Sequence, residues 1–424
     1  MNQASGGKHE FHQTEKNCGP RRNSLFTALF HRAPGERRQV INPQGVQTST
    51  GLPAEDDLQR SFSNKVKEDY MRKIIDRPGL LLLMIFFISL LISNIFPSSA
   101  PTVFDLWILF LGLLISIFWH ELGHTIFGVS AGLSFHFLAF GPFFIEKAQG
   151  KVKIRENKHW MYFGGVSFLT PTPHGFSKIK AKWGLYLFGG PFFSLIAFFG
   201  FFMIWKTAEN DRMLWYTILN MAIFIATSFP IPKGEANDGG NLFLLFRDKD
   251  QTYLLKIQVL SEMFGSKRPM DWDKGLIEQC KEIMKEKNAL ENPMINTFLF
   301  YHYFDAGKME QILSILEPIV HGPPLRDKKW IKGSFNSLYI LCKFLYENNE
   351  DSLEEFEKLF KEIPRFDSYA YHRSLAIIKF LKGDVEGAKN LINQLERELD
   401  HTDGQGMYHT EKEILQKLRG KMLI

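Results

Sequence analysis

Residues 104–131 read FDLWILFLGLLISIFWHELGHTIFGVSA, and the charged triplet near the end of this stretch decides how the chain is interpreted. The stretch is otherwise almost wholly apolar and long enough to cross a bilayer as one helix. His120 and His124 are four residues apart, so a helix places both imidazoles on one face, where they can share a metal ion, and rotates Glu121 to the side. Because ionisable groups inside a membrane span are costly, this triplet indicates a function and not a packing role.

The composition separates into an apolar middle and two polar ends. The chain has 424 residues, enough for two or three domains, and its mean hydropathy of −0.14 conceals apolar runs between residues 79 and 232. The net charge of +5 is modest, and much of the positive charge lies in the N-terminal tail and beside the apolar runs. This placement indicates membrane topology and not nucleic-acid binding. The three cysteines are far apart and predict neither a disulfide framework nor a thiolate metal site.

Four apolar runs are long enough to span a membrane, at residues 79–96, 104–131, 183–205 and 214–230. The loop between the first two runs is uncharged, whereas the segment between the second and third is strongly basic. Its cations are Lys147, Lys151, Lys153, Arg155, Lys158, Lys178, Lys180 and Lys182. The excess of positive charge on cytoplasmic loops places this segment, and with it both chain termini, in the cytoplasm. The expected location is a bacterial cell membrane.

The expected fold is an α-helical polytopic membrane protein with a small β insertion at the membrane surface and an all-α cytosolic C-terminal domain. Aromatic and polar residues alternate at 134–146 and 151–168, on either side of a turn at Gln149-Gly150, and this pattern predicts a β-hairpin or small sheet. An ordinary interfacial loop is the alternative. The domain boundaries follow: a polar, disordered tail at 1–75, a membrane domain at 76–247 and a soluble helical domain at 248–424. Met71 is an alternative start of the chain.

The C-terminal region contains repeated helix–turn–helix patterns. Residues 375–398 predict two helices around a turn at Gly383-Asp384, residues 301–319 have the same shape around Gly307, and residues 341–363 turn at Asn348-Asn349. The spacing is loosely similar to tetratricopeptide hairpins but lacks most of their signature positions. An ordinary helical bundle is the alternative.

A catalytic metal site built on His120 and His124 needs a third protein ligand and an open position for water. The second and fourth runs both cross from outside to inside, so a residue just past the fourth run lies at the depth of the histidines. Asp238 is in that place, after the helix-breaking Pro230 and Pro232. Glu235 is the competing carboxylate. The remaining candidate imidazoles, His136 and His174, lie in the surface segment, where a polar residue at the membrane interface is the simpler interpretation.

The third run contains GGPFFS at residues 189–194. Its two glycines allow a close approach, either of an extended peptide or of a neighbouring helix, and the sequence leaves both open. A metal such as Zn²⁺ activates water, and Glu121 in this arrangement can accept its proton as the water attacks a peptide carbonyl. A membrane-embedded substrate helix has to unwind locally before its carbonyl is accessible.

Three motifs in order, HELGH at 120–124, GGPFFS at 189–194 and FPIPKGEANDGG at 229–240, resemble the site-2 protease family of intramembrane zinc metalloproteases (peptidase family M50). The resemblance covers about residues 104–245. It implies a Zn²⁺ cofactor held by His120, His124 and Asp238, Glu121 as the catalytic base, and cleavage of peptide bonds within or beside membranes.

The chain departs from that family at two polar positions and in one loop. Ser194 and Thr227 stand where the family often has Asn, and the loop before Asp238 is longer. The implied partners are a membrane-embedded or membrane-associated peptide, the lipid bilayer and a protein that binds the C-terminal helices, with no nucleic acid. Two other functions stay open: a metal-containing membrane protein that binds peptides without hydrolysis, and a membrane-anchored helical scaffold.

Overall fold

The structure is a computed structural model that describes residues 77–148, 150–158, 160–172, 178–230, 237–247, 252–286, 292–322, 329–347, 352–365, 367–399 and 406–423. Several predictions from the sequence therefore lie outside the described residues. They are the N-terminal tail at 1–75, the turn at Asn348-Asn349, and the candidate ligands His174 and Glu235.

Three helices of the described chain are long and apolar enough to cross a membrane. They are α1 at Pro78–Ile95, α2 at Ala100–Ser130 and α3 at Ile179–Ala208, with a short 3₁₀ turn at Pro97–Ser99 between the first two. The predicted fourth span coincides with helix α4, Asp211–Ser228. This helix begins with Asp211-Arg212 and carries Asn220 at its middle, so it falls short of the apolar character of the other three. Three candidate spans are thus shown, and a fourth stays a prediction.

Helices α2, α3 and α4 pack together, and glycines allow their close approach. A Cβ atom on Gly123 of α2 would lie 2.3 Å from the carbonyl oxygen of Gly189 on α3. A Cβ on Gly112, about three turns earlier on α2, would collide with the ring of Tyr216 on α4. The backbones of α2 and α3 therefore touch at the HELGH motif, where small residues let helices come close without a side chain between them.

A four-stranded antiparallel sheet lies between α2 and α3 in the chain, as the alternating pattern predicted. Its strands are β1 at Leu133–Phe140, β2 at Phe143–Ala148, β3 at Lys151–Glu156 and β4 at Val166–Pro171, in the order β3-β2-β1-β4. The short 3₁₀ turn Trp160–Tyr162 precedes β4. Strand β4 is an edge strand that packs on α2, where the hydroxyls of Thr125 and Ser167 are 2.9 Å apart. The sheet thereby covers one side of the HELGH helix.

The described part of the chain after residue 237 is helical. It contains α5 at Asp238–Arg247, α6 at Thr252–Met263, a 3₁₀ turn at Pro269–Asp271, α7 at Lys274–Glu286, α8 at Pro293–Asp305, α9 at Met309–His321, α10 at Lys329–Tyr346, α11 at Leu353–Phe360, α12 at Ser368–Leu381, α13 at Val385–Leu399 and α14 at Met407–Met422. Turns containing Gly307 and Gly383 join α8 to α9 and α12 to α13, at the places that the pattern indicated. The likeness to tetratricopeptide hairpins stays a prediction, as does a domain boundary at residue 248.

The helical region touches the sheet directly. The hydroxyl of Ser261 on α6 donates to the carbonyl of Pro171, the last residue of β4, over 2.5 Å. The rings of Phe264 and His136 pack together with their centroids 5.7 Å apart. The buried thiols of Cys280 and Cys342 lie within the helical region and form no disulfide with described residues.

Candidate metal centre

Three ligand atoms from two distant parts of the chain meet at one point. The Nε2 atoms of His120 and His124 are 3.2 Å apart, and Oδ2 of Asp238 lies 3.2 Å from the first and 3.3 Å from the second. Both imidazoles are buried, and Asp238 is partly buried. These three residues could hold a metal ion.

The triangle of ligand atoms has the size of a tetrahedral coordination face. Zinc binds imidazole nitrogen at about 2.0–2.1 Å and carboxylate oxygen at about 2.0–2.2 Å, which separates two ligand atoms of a tetrahedron by roughly 3.3–3.5 Å. The observed separations of 3.2–3.3 Å fit that spacing. Three protein ligands leave a fourth tetrahedral position, as catalytic zinc sites require.

Each histidine is oriented by a hydrogen bond on the ring nitrogen that faces away from the triangle. Nδ1 of His124 donates to the main-chain carbonyl of Tyr186 over 2.7 Å, which leaves the lone pair of a neutral ring on Nε2. Nδ1 of His120 lies 2.9 Å from the hydroxyl of Ser194, which is fully buried. A neutral His124 and an ionised Asp238 then present lone pairs to each other over 3.3 Å. A cation between them removes that repulsion.

Gly190 on α3 makes room for the histidine pair. A Cβ atom at this position would lie 2.2 Å from Nε2 of His124 and 2.7 Å from Nε2 of His120. Its neighbour Gly189 packs against Gly123 instead. The two glycines of the GGPFFS motif are therefore used within the chain: one allows helix contact and the other allows two imidazoles to lie against the backbone.

Asp238 is held in place by its neighbour Asn237, the N-terminal cap of α5. The Asn237 carbonyl oxygen accepts from the main-chain N–H of Gly240 over 3.0 Å. Its amide donates to the main-chain carbonyls of Ala226 and Phe229 over 2.6 Å each, which ties the start of α5 to the end of α4. The carboxylate of Asp238 is thereby held 3.2 and 3.3 Å from the two imidazole Nε2 atoms.

Glu121 is buried on α2 beneath the chain that leads into β4. A Cβ at Gly165 would lie 2.7 Å from Oε1 of Glu121, and the φ of +99° at Gly165 is one that residues with side chains rarely adopt. The carboxylate interacts electrostatically with His124 and Asp238. Because Gly165 has no side chain, the backbone passes close to Glu121 and keeps its carboxylate near the three candidate metal ligands.

The structure brings His120, His124 and Asp238 together and leaves His136 outside the group. Nε2 of His136 lies 2.8 Å from the hydroxyl of Thr170, and its ring packs on Phe264 of the helical region. Among the two departures from the family pattern, Ser194 contacts His120, whereas the Thr227 hydroxyl donates to the carbonyl of Ile223 in its own helix.

The sequence singled out Ser194 as a polar position but did not indicate its contact with His120, and the carbonyl of Tyr186 and the side chain of Asn237 were missed. Asn237 carried a local signal, because an Asn immediately before a helix is a typical cap. The other two contacts join residues 74 and 62 positions apart, and no local pattern marks them.

Comparison of the chain with protein-family models, with curated proteins and with solved structures finds no match. The function is therefore inferred from the geometry of the site itself.

Proposed function

We propose that the chain is an intramembrane zinc metalloprotease. The observation that supports this most strongly is the triangle of three ligand atoms 3.2–3.3 Å apart, with the buried carboxylate of Glu121 beside it, on a helix apolar enough to cross a membrane. A binding protein has no use for such a carboxylate, since coordination of a metal is complete without it. Hydrolysis needs a general base close to the metal.

The residues divide the reaction between them. His120, His124 and Asp238 would hold the ion, which when bound supplies a Lewis acid and lowers the pKa of water to about 7. Glu121 accepts a proton from the attacking water as its oxygen bonds to the scissile carbonyl carbon. The same proton then passes from Glu121 to the leaving amine as the C–N bond breaks. Water is consumed, and the products are a carboxylate and an amine.

We propose a substrate that unwinds at the cleaved bond. A helix hides its carbonyls in internal hydrogen bonds, so a substrate in lipid has to open before it can react. The edge strand β4 lies beside Glu121, but its carbonyls at Ser167 and Pro171 already accept hydrogen bonds from the hydroxyls of Tyr186 and Ser261. Helix-breaking residues in the substrate are therefore the expected source of unwinding.

Helix α4 completes the topology as a fourth span in this proposal. It is 18 residues long, and its charged first turn would lie at the outer surface. Arg212 contacts Asp105 near the start of α2 over 3.1 Å, so both helices have their charged ends on the same side. The metal group then lies toward the cytoplasmic side, and the helical region from α6 onward is cytosolic, where it recruits substrate or controls access.

The test compares the detergent-purified full chain with Asp238→Ala and Glu121→Gln variants, measuring zinc content and cleavage of a membrane peptide. We expect about one zinc per chain in the wild type and in Glu121→Gln, little zinc in Asp238→Ala, and a 10²–10⁴-fold slower cleavage by Glu121→Gln. If the wild type and Glu121→Gln both contain zinc and the function of Glu121→Gln is undiminished, hydrolysis is excluded and a metal-stabilised binding protein is left.

A further inference from the structure

The helix that begins at the candidate metal ligand Asp238 has an exposed face that is apolar. Helix α5 reads DGGNLFLLFR, and its Leu245 is fully buried. The exposed arc contains Phe243 (47% exposed), Leu244 (45%) and Phe246 (69%), followed by Arg247. These positions lie on one side of a helix with 3.6 residues per turn. A helix facing water carries polar residues on that side.

Helix α5 is too short to cross a bilayer. It has 10 residues and a length of about 15 Å, half the thickness of the hydrocarbon core. It is nevertheless adjacent to a lipid-facing surface. A Cβ atom on Gly184 of α3 would lie 3.5 Å from the ring of Phe246. The side chains next along α3, Leu185 and Phe188, are exposed.

That exposed surface continues along α3 as a single stripe. Its members are Leu185, Phe188, Ile196, Phe199 and Met203. Their spacing is that of one helix face, and α3 is a candidate membrane span. The exposed face of α5 is thus the end of an apolar surface on a helix that is long and apolar enough to cross a membrane.

Cations flank this end of the surface. Lys180 is exposed about one turn before Gly184, and Lys178 is exposed at the residue that precedes α3. The guanidinium of Arg247 lies 5.0 Å from the ring centre of Phe243, which directs a charge to the border of the apolar face. Aromatic and aliphatic side chains bordered by Lys and Arg are typical of helices that lie in the interface of a bilayer, with the cations on anionic headgroups.

We propose that α5 lies in the membrane interface and binds anionic phospholipid through Phe243, Phe246, Arg247, Lys178 and Lys180. The contact with lipid goes beyond peptide cleavage and requires only that α3 crosses the membrane, whereas its effect on metal binding also rests on the proposed zinc site. Since Asp238 is the first residue of α5, the lipid that holds this helix also holds the third metal ligand in position. Loss of the anionic lipid then loosens metal binding.

The first experiment measures the depth of α5 directly. A spin label is attached at Phe246→Cys in the full chain with Cys18→Ser, since Cys280 and Cys342 are buried. The protein is placed in vesicles of phosphatidylcholine with phosphatidylglycerol, and relaxation by oxygen, which enters lipid, is compared with relaxation by a nickel chelate, which stays in water. Matched controls are Phe199→Cys, on the lipid stripe of α3, and Val385→Cys, an exposed apolar residue of the helical region.

We expect the label at 246 to favour oxygen, as at 199, and the label at 385 to favour nickel. A label at 246 with the nickel accessibility of 385 would overturn the proposal. This result does not depend on cleavage, so it stands whether or not the chain is a protease.

The second experiment tests the headgroup. Zinc loss to a chelator is timed in vesicles with and without phosphatidylglycerol, for the wild type and for a Lys178→Gln/Lys180→Gln/Arg247→Gln variant. We expect the wild type to lose zinc at least about fivefold more slowly with the anionic lipid, and the variant to lose it at one rate in both. Equal rates for the wild type in the two lipids would refute the role of anionic lipid.

Discussion

The candidate metal centre and the C-terminal helices both bury ionisable side chains, but the two regions neutralise them differently. In the C-terminal region, Arg373 and Glu411 are almost wholly buried, and Nη1 of Arg373 lies 3.1 and 3.0 Å from the two carboxylate oxygens of Glu411. Tyr301 donates to the same carboxylate, and Nη2 of Arg373 donates to the hydroxyl of Ser337. Positive and negative charge are both supplied by the chain.

At the candidate metal centre, two imidazole nitrogens and one carboxylate oxygen face each other, and no Lys or Arg among the described residues pairs with Asp238. The outer atoms of the imidazoles are held by Tyr186 and Ser194, so neither ring is free to turn away. A paired buried charge thus ties elements together, whereas a converging set of lone pairs, with both imidazoles held by hydrogen bonds on their far sides, is suited to a cation.

Removing one member of the closed pair should affect folding and leave the metal centre alone. We expect Arg373→Met to lower the stability of the helical region by about 3–5 kcal/mol, because it strands the buried carboxylate of Glu411. The double variant Arg373→Met/Glu411→Leu should recover part of that loss. The measurements are thermal unfolding by circular dichroism and zinc per folded chain. A double variant no more stable than the single one, or a loss of zinc from folded protein, would contradict this role.

Filling the space beside the histidines should impair the metal centre and leave folding unaffected. Gly190→Ala introduces a Cβ against both Nε2 atoms, and a displacement of about 1 Å can reduce activity by about 10²-fold. The matched control is Gly200→Ala on the same helix, where a Cβ meets nothing within 4 Å. Alanine favours a helix over glycine in both variants, so a defect in Gly190→Ala alone reports on the site. Equal zinc and activity in the two variants would show that the imidazoles do not need this space.

Removing the hydroxyl behind His120 should weaken metal binding without unfolding the protein. We expect Ser194→Ala to reduce zinc affinity by about 10–100-fold, since a group that orients a metal-binding histidine typically contributes that much. Competition with a chelator measures the affinity. Ser93→Ala is the control, because its hydroxyl bonds only the Ser89 carbonyl of its own helix. Unchanged affinity in Ser194→Ala would mean that Ser194 does not orient the ring.

The smallest effect concerns His136, which joins the sheet to the helical region. Its burial, with Lys147 nearby, lowers the pKa of His136 to about 4. The unfolded chain, with a histidine pKa of about 6.5, therefore binds the proton first as pH falls, so stability is full above pH 6.5 and declines toward pH 4. We expect a loss of about 1 kcal/mol between pH 7 and 5.5. His136→Gln should flatten this part of the thermal-unfolding profile, and an identical profile in that variant would contradict the assignment.

Much of this architecture follows from local patterns. The HELGH spacing placed two imidazoles on one helix face, the alternation at 134–168 indicated the sheet, and the glycines at 307 and 383 marked helical turns. Asp238 was predicted from topology, by matching its depth to that of the histidines. These inferences succeed because each uses a period or a length that the backbone geometry dictates.

The supporting contacts could not be predicted in the same way. The contact of Ser194 with His120 and the clearance at Gly190 depend on how α3 is rotated against α2, which no periodicity specifies. The exposed aromatic face of α5 was hidden because FLLF is apolar throughout, and only packing shows that Leu245 turns inward while Phe243 and Phe246 do not. Rotation about a helix axis is thus the quantity that the sequence pattern leaves undetermined here.

X-ray absorption at the zinc edge, recorded on the purified full chain, tests the metal centre most directly. We expect zinc coordinated by two imidazole nitrogens at about 2.0–2.1 Å, with oxygen at about 2.0–2.2 Å and no sulfur, and we expect this coordination to be lost in Asp238→Ala. A wild-type protein without zinc, or coordination by sulfur at about 2.3 Å, would contradict this assignment.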